Sequence, residues 1–413
     1  MQQLEHWDIL LSNQVAKKDF ITSLINQNAN GELQPFNSKK GILFSDLAIE
    51  KFIEKEYQYD SVEAAPETHR QLRTFSSGER KKAFLKYCIK QQPDFIILDN
   101  PLDHLDHFSR KELVLQLENL AQHIIFIQLI NRLDDVLPFV INKRQIKDNS
   151  FVLEPIKQKE STSNPFTLKP IPSSIDSIVC PGTVLIQMNN LSVSYNERPI
   201  LNNINWTIKK GEFWQLIGPN GSGKSTILSL ISGDNSKGYG QDLHLFGMKK
   251  GSGESIWDIK KNIGQYATAM TDLFQKKQTV EQMILSGFFD SVGLYTQPST
   301  LQQKKADEWF DFLNMTHLKK KSFLDLSIGQ QRLIMIVRAV LKHPPLLILD
   351  EPTEGLDDEN VELVTQLISH LAQETEITIL FVSHRIEKLL APNAVYELTP
   401  TETGSIGQIR TFE

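Results

Sequence analysis

Nine consecutive residues carry the strongest chemical signal in the chain: Gly218, Pro219, Asn220, Gly221, Ser222, Gly223, Lys224, Ser225 and Thr226. Three glycines allow a loop to wrap a phosphate with successive backbone N–H groups, and a helix opening just after it turns positive potential toward the same point. Lys224 would then reach the β and γ phosphates, and the Ser225 hydroxyl would ligate Mg²⁺. A second signal closes the apolar run LLILD, where Asp350 is followed by Glu351. An acid at a strand end can hold Mg²⁺ through water, and the next carboxylate can orient or deprotonate an attacking water. Many strands end in an acid, so this pair takes its weight from the loop upstream.

These groups can meet only if buried strands and helices bring them together. FWQLI precedes the loop and ILSLI follows it, a strand and then a helix. Further runs (VLIQMNNLSVSY, INWTI, LLILDE, ITILFVSH) are short, apolar and separated by turns or helical stretches. That pattern predicts buried parallel strands in an α/β layer fold.

The chain also repeats itself. PDFIILDNPLDHLD (93–106) lies over PPLLILDEPTEGLD (344–357) at an offset of 251, with identities at Pro93/Pro344, Ile97/Ile348, Leu98/Leu349, Asp99/Asp350, Pro101/Pro352, Leu105/Leu356 and Asp106/Asp357. The same offset places FSSGE (75–79) on LSIGQ (326–330), and an offset of 207 places WDILLSNQVAKKDFITSLI (7–25) on WQLIGPNGSGKSTILSLIS (214–232). Two copies of one domain follow, the first 251 − 207 = 44 residues shorter between its motifs. Between them, the segment from Phe151 to Pro181 carries Pro155, Pro165, Pro170, Pro172 and Pro181, which predicts an extended linker. The expected division is a degenerate domain over 1–150, a linker over 151–182 and an intact domain over 183–413.

Together with LSIGQ at 326–330 and FVSHR at 381–385, the set resembles the ATP-binding cassette (ABC) ATPase family across both halves. The resemblance implies two P-loop NTPase nucleotide-binding domains in tandem, the first truncated and degenerate. It makes Gly218–Thr226 the phosphate loop, Asp350 and Glu351 the Mg²⁺ and water-activating acids, and Leu326–Gln330 the signature motif. Asp357 becomes the acid of the loop that follows, His384 the switch histidine that senses the γ-phosphate, and Tyr195 the aromatic that stacks on adenine. ATP and Mg²⁺ are the implied ligands. One departure is visible. Where family members carry a glutamine after a strand, the stretch IGQYATAMTDLFQ (263–275) places Thr268 at or near the equivalent position, with Gln265 and Gln275 out of register.

The first copy is worn. Leu11, Gln14 and Ala16 replace the three loop glycines, Lys18 replaces the Mg²⁺-ligating serine, Asn100 the catalytic glutamate and Asn131 the switch histidine, while Lys17, Asn13 and Asp99 survive. An amide cannot accept a proton from water, so hydrolysis there is not expected. Its signature is in better repair, with Ser76 and Gly78 present, whereas Ile328 replaces a glycine in LSIGQ. In the family two cassettes pack head to tail, each nucleotide lying between one phosphate loop and the opposite signature. The resemblance therefore implies one competent composite site, the loop of copy two against Ser76 and Gly78. A linker of about 30 residues can reach ~100 Å, so closure within one chain is geometrically open. Pairing of two chains through their second halves, as a homodimer, is the alternative.

Composition bounds the purpose. The chain has 413 residues, 40% hydrophobic and 23% charged, with a net charge of 44 − 50 = −6. An acidic balance disfavours nucleic acid as the principal partner, and the short runs Lys39–Lys40 and Lys319–Lys321 read as solvated helix faces. No apolar run approaches the ~20 residues that span a bilayer, MQQLEHWDILL does not read as a secretory signal, and Cys88 and Cys180 have no metal spacing. A cytoplasmic protein is expected, with attachment at the inner face of the membrane open to it. ILSGFFDSVGLY (284–295) and LSIGQQRLIMIVRAVLKHPPLLILDEP make the second half most similar, within the family, to tandem ATPases associated with molybdate transport, the ModF or PhrA type. The first expectation is thus the ATP-binding component of a transport system with separate membrane permease subunits. A soluble ABC ATPase acting on the ribosome or nucleic acid is the alternative, against which the short, proline-rich, non-basic linker speaks. A clamp that binds without hydrolysing is the third reading, disfavoured by intact Glu351 and His384.

Overall fold

The computed structural model describes residues 4–59, 70–156, 169–175, 182–274, 278–385, 387 and 389–411. The chain forms two compact units, residues 1–162 with 355–359 and residues 163–354 with 360–413.

In the first unit the strands β1 (Trp7–Leu11), β2 (Gly41–Phe44), β3 (Phe95–Asp99), β4 (Ile125–Ile130), β5 (Asn142–Ile146) and β6 (Glu154–Pro155) form a sheet in the order β2-β3-β4-β1-β5-β6. All neighbours are parallel except β5 with β6. The sequences FIILD and IFIQLI lack polar alternation because both faces are covered. Ile96 and Leu98 pack with Phe84, Leu85, Cys88 and Leu113 on one side, and Ile97 packs with Phe20, Leu24 and Leu129 on the other. The covering helices are α1 (Lys17–Ile25), α2 (Asp46–Tyr59), α3 (Ser77–Lys90) and α4 (His107–Leu120).

The second unit contains β7 (Val184–Tyr195), β8 (Arg198–Lys209), β9 (Phe213–Ile217), β10 (Asp242–Leu245), β11 (Met248–Lys249), β12 (Ile263–Ala267), β13 (Leu346–Asp350), β14 (Thr378–Val382), β15 (Ala394–Thr399) and β16 (Ile406–Thr411). Its helices are α5 (Lys224–Ile231), α6 (Ile256–Lys260), α7 (Val280–Leu285), α8 (Thr300–Phe312), α9 (Ile328–Val340) and α10 (Asp358–Glu374). One sheet runs β12-β13-β14-β9-β15-β16, the same order and the same pattern of parallel and antiparallel pairs as in the first unit. The duplication read from sequence is therefore a duplication of topology.

The second unit adds an antiparallel sheet, β11-β10-β7-β8, with no counterpart among the described residues of the first. Trp206 on β8 joins this sheet to the parallel one: its ring lies flat on Tyr396 of β15 at 4.2 Å between centroids and edge-on to Trp214 of β9 at 5.5 Å. Aromatic pairs of this kind contribute about 0.5–1.5 kcal/mol each beyond the area they bury. Between loop helix and signature the first unit has, among the described residues, only the strand β2 and the α-helix α2, where the second has β10, β11 and α6 before β12 and α7 and α8 after it, which together account for the shorter spacing of the first.

The stretch expected to be linker begins inside the first unit. Glu154–Pro155 is an antiparallel edge strand, with Gln145 donating to the Pro155 carbonyl at 3.0 Å and Phe151 and Leu153 packed against the core. An edge strand tolerates proline because one row of its amides has no partner strand to satisfy. Residues 157–168 and 176–181, Cys180 among them, lie outside the described residues. Among the described residues no helix is long and apolar enough to cross a membrane.

A buried carboxylate sits in the middle of the first sheet. Asp8 on β1 is fully buried and accepts the Leu137 N–H at 3.1 Å through Oδ2, while Oδ1 has no partner among the described residues. Its neighbour across the ladder, Gln128 on β4, also has an unpartnered Oε1. One proton on Asp8 would let its Oδ1 serve Gln128 and relieve both acceptors. Burial pushes the Asp8 pKa from the ordinary carboxylate range up to about 7, against the Leu137 N–H and the Lys143 charge that pull it down. The folded state therefore binds this proton more tightly than the unfolded one, so the associated stability is full below about pH 4 and is lost as pH rises through about 7. Asp8→Asn should stabilise the first unit by at most about 4 kcal/mol at about pH 8, by a smaller amount at about pH 5, and leave it nearly unchanged at about pH 3 to 4. Urea denaturation of both proteins across this range checks the sign, and a difference independent of pH would contradict it.

Candidate functional site

Strand order assembles the site. β13, β14 and β9 are consecutive parallel neighbours, so the turns that follow them emerge at one end of the sheet. Those turns carry Asp350 with Glu351, His384, and the loop Gly218–Thr226. With strands about 4.8 Å apart, the acids and the loop sit roughly 10 Å from each other with the histidine between them.

The loop's backbone explains its glycines. Gly218 has φ +155° and Gly223 φ +94°, and a Cβ at either would meet Ser222 Oγ or Leu201 Cδ2 at 2.6 Å. Gly223 caps α5 without any side-chain hydrogen bond, and the helix N-terminus turns its amides and positive potential toward the loop. Lys224 folds inward and donates to the carbonyls of Gly218 at 2.7 Å and Pro219 at 3.1 Å, which places its ammonium at the centre of the loop. Ser222 Oγ is buried without a partner among the described residues. Ser225 opens α5 and is exposed, with Thr226 beside it. Asn220, at the loop's tip, is also exposed.

Asp350 is pushed up to about 6, by burial first and then by the charges of Glu351 and Glu354, while Lys224 pulls it down. Carboxylates crowded at one strand end are a donor set whose repulsion a divalent cation relieves, so the residues fit Mg²⁺. Glu351 has φ +52°, uncommon for glutamate, and its N–H donates to Val382 O at 2.9 Å. Its two carboxylate oxygens both lie 3.1 Å from Nδ1 of His384. Nδ1 is thus the ring nitrogen that meets the carboxylate, and Nε2 is buried with no partner among the described residues. Gln215 on β9 fixes the turn from behind, donating to Arg385 O at 3.1 Å.

Tyr195 ends β7 at a two-residue hairpin, Asn196-Glu197, both left-handed as such turns require. Its hydroxyl accepts from Asn235 Nδ2 at 2.7 Å, and Asn235 in turn donates to Ser229 Oγ on α5 at 2.9 Å. The ring is thereby tied to the phosphate-loop helix while remaining 41% exposed, available for stacking. Thr268 is the first residue after β12, and its hydroxyl donates to Glu351 O at 2.9 Å. Gln265 lies within β12, and Gln275 is outside the described residues.

The first unit repeats this geometry with its chemistry closed off. Asn100 is left-handed at φ +43° and donates its N–H to Leu129 O at 2.9 Å, as Glu351 does to Val382. Lys17 Nζ is paired with Asp99 Oδ1 at 2.7 Å, so the surviving lysine and metal acid neutralise each other. The Ala16 N–H at the start of α1 is taken by Asn149 Oδ1 at 2.7 Å, and Asn131 donates to Asn13 Oδ1 at 3.1 Å. Side-chain oxygens thus occupy the Ala16 amide, the Lys17 ammonium and the Asn131 amide in the first copy.

Both signatures share one local form. Ser76 and Ser327 are the N-caps of α3 and α9, each in a capping box, with Glu79 and Gln330 respectively. Gly78 and Gly329 lie in the first turns of these helices, and Ile328 is 48% exposed. One functional contact has no motif in the sequence: Arg332 on α9 reaches Tyr266, Thr268 and the carbonyls of Glu351 and Glu354. The repeat offset of 251, which places Arg332 on Lys81, was the available signal.

With this geometry in hand, comparison with known proteins agrees at three levels. The sequence profile of the family described as ABC transporter matches residues 201–354. ABC transporter ATP-binding protein ModF of Escherichia coli (strain K12) is 41% identical over 334 residues, spanning 77% of this chain and 68% of that protein. An uncharacterized ABC transporter ATP-binding protein of Schizosaccharomyces pombe is 30% identical over 330 residues, 78% of this chain and 67% of that one. A solved structure of RNase-L Inhibitor superposes with a TM-score of 0.62 over 98% of this chain and 85% of that one, at 16% identity, a likeness of fold. The chain belongs to the ATP-binding cassette family and is an ABC ATPase with two cassettes in tandem, the first truncated and degenerate.

Proposed function

We propose that the chain hydrolyses Mg²⁺-bound ATP at one composite site, formed by the phosphate loop of the second cassette and the Ser76–Gly78 signature of the first, and that it is the ATP-binding component of a transport system with separate membrane subunits. The carrying observation is the contrast between the two copies at one turn: Glu351 held by His384 beside Asp350 in the second, Asn100 beside the Lys17–Asp99 ion pair in the first. The transport part is supported by the similarity to ModF, an ABC transporter ATP-binding protein. The choice of Ser76–Gly78 as the second wall rests on the small Ser77 at its third position, where LSIGQ carries the branched Ile328 in place of a glycine.

In this reading the amides at the start of α5 and Lys224 hold the β and γ phosphates, and Tyr195 stacks on the base. Ser225 and Asp350 hold Mg²⁺, which supplies neutralisation of the phosphate charge. Glu351 orients the attacking water and accepts its proton. His384 bridges the glutamate and the γ-phosphate, so that loss of the phosphate is felt at Glu351.

Lys224→Ala and Glu351→Gln should each lower turnover by roughly 10²–10⁴-fold, with Glu351→Gln still binding ATP, whereas Lys17→Ala should change it by less than about twofold. Steady-state phosphate release measures all three, and a comparable loss in Lys17→Ala would defeat the one-site reading. Ser76→Arg should be as inactive as Lys224→Ala if the cassettes close within one chain; full activity would move the second wall to LSIGQ of another chain. Transport is tested by fractionating cells that make Glu351→Gln, which should stay closed on its partner. Recovery with an integral membrane protein supports the permease reading, and recovery with ribosomes or soluble proteins alone overturns it.

A further inference from the structure

Three motifs of the second cassette meet on one guanidinium. Arg332 lies five residues past Ser327 on α9 and is only 6% exposed. Its Nη1 donates to Thr268 Oγ1 at 3.0 Å, to Glu351 O at 3.3 Å and to the Tyr266 hydroxyl, and its Nη2 donates to Glu354 O at 2.9 Å. The group also lies over the Tyr266 ring at 5.2 Å. Thr268 adds its own bond to Glu351 O at 2.9 Å. The glutamate's carbonyl therefore accepts two hydrogen bonds, while its N–H is held by β14. Both ends of the residue are pinned in a left-handed conformation that a free chain would leave, and the carboxylate is thereby directed toward His384.

The first cassette contains the same device built from different residues. Lys81 lies five residues past Ser76 on α3 and is 3% exposed. Its Nζ donates to Pro101 O at 3.2 Å and Asp103 O at 2.7 Å and pairs with Asp46 at 3.1 Å. Phe44 is opposite Leu98 and Tyr266 opposite Leu349, so Asp46 and Thr268 are equivalent, each two residues further on. In both copies a buried cation on the signature helix grips the turn after the strand-end acid and the register-equivalent position, Asp46 or Thr268, beyond the neighbouring strand. The first copy grips the carbonyls at Pro101 and Asp103, whereas the second has moved one donor onto the carbonyl of the catalytic glutamate itself.

We propose that Arg332, with Thr268, is a positioning residue for hydrolysis: it fixes Glu351 from the signature helix, and Thr268 serves this internal bond in place of the glutamine usual after that strand. The proposal rests on the ATPase reading above. In it, a shift of α9 is passed directly to the catalytic carboxylate, because the two are joined through a single side chain.

The test compares kcat, KM and thermal midpoint for the full chain and for Arg332→Gln, Arg332→Lys, Thr268→Val and Thr268→Ser. Arg332→Gln should lower kcat by about 10- to 100-fold while KM for ATP stays within about twofold, since misplacement of Glu351 costs chemistry and not binding. Arg332→Lys should recover most of that loss, as lysine serves the same place in the first copy. Thr268→Val should lower kcat several-fold and Thr268→Ser should recover it. Unchanged kcat in Arg332→Gln, equal loss in the lysine variant, or a loss confined to KM would overturn the proposal. If Arg332→Gln does not fold, Thr268→Val, which replaces one hydroxyl by a methyl, decides by the same readout. A wild-type chain without turnover would instead defeat the ATPase reading, and this proposal with it.

Discussion

A glutamate in the left-handed region costs on the order of 1–2 kcal/mol and persists only where its surroundings hold it there. Glu351 is such a residue. Its φ of +52° turns the chain sharply at the end of a fully buried parallel strand, so that the side chain leaves the sheet toward His384 and not toward solvent. β14 holds the amide, and Thr268 and Arg332 hold the carbonyl. Strand order brings the phosphate loop to the same end, two strands away. Without the turn, Asp350 and the loop would still converge, but no carboxylate would be held against His384.

The first cassette shows which parts of this arrangement belong to the fold and which to the chemistry. Asn100 keeps the left-handed turn and the amide bond to the next strand, and Lys81 keeps the cation clamp. Asparagine is among the residues that tolerate this conformation best, so the turn outlived the carboxylate at reduced strain. What the first copy lacks are the residues to which the proposed function assigns binding and proton transfer: the loop glycines, the serine, the glutamate and the histidine. The antiparallel sheet that carries Tyr195 also has no counterpart among the described residues there.

Legibility of the sequence follows the range of the interactions. The phosphate loop, the acids and the signatures were readable because each is a contiguous run whose spacing fixes its geometry: glycines for left-handed backbone, a strand before and a helix after. The repeat itself was readable by offset. The order of the strands was not, since it depends on parallel pairings between residues 30 to 180 positions apart. Nor was the cap on Ala16, which comes from Asn149, 133 residues away. Arg332 was missed because a basic residue on an amphipathic helix usually reaches solvent, and only burial against Tyr266 reveals otherwise. The linker's start was misjudged because proline signals an edge strand as readily as a loop.

The survival of Lys17 in a loop that lost every glycine then has a physical account that needs no nucleotide. A lysine directed into such a loop is a cation surrounded by backbone carbonyls at the end of a sheet, and in the second cassette phosphates can balance it. Remove the glycines and that balance must come from the protein. Asp99, still at the strand end, supplies it at 2.7 Å with only 16% of its side chain exposed. Each partner now stabilises the other: loss of the lysine would leave a half-buried carboxylate unpaired, and loss of the acid would leave a cation facing carbonyl dipoles and the Asn149-capped turn. Retention of both residues is thus what electrostatics alone would select, and a kept lysine in a worn loop is weak support for a kept nucleotide.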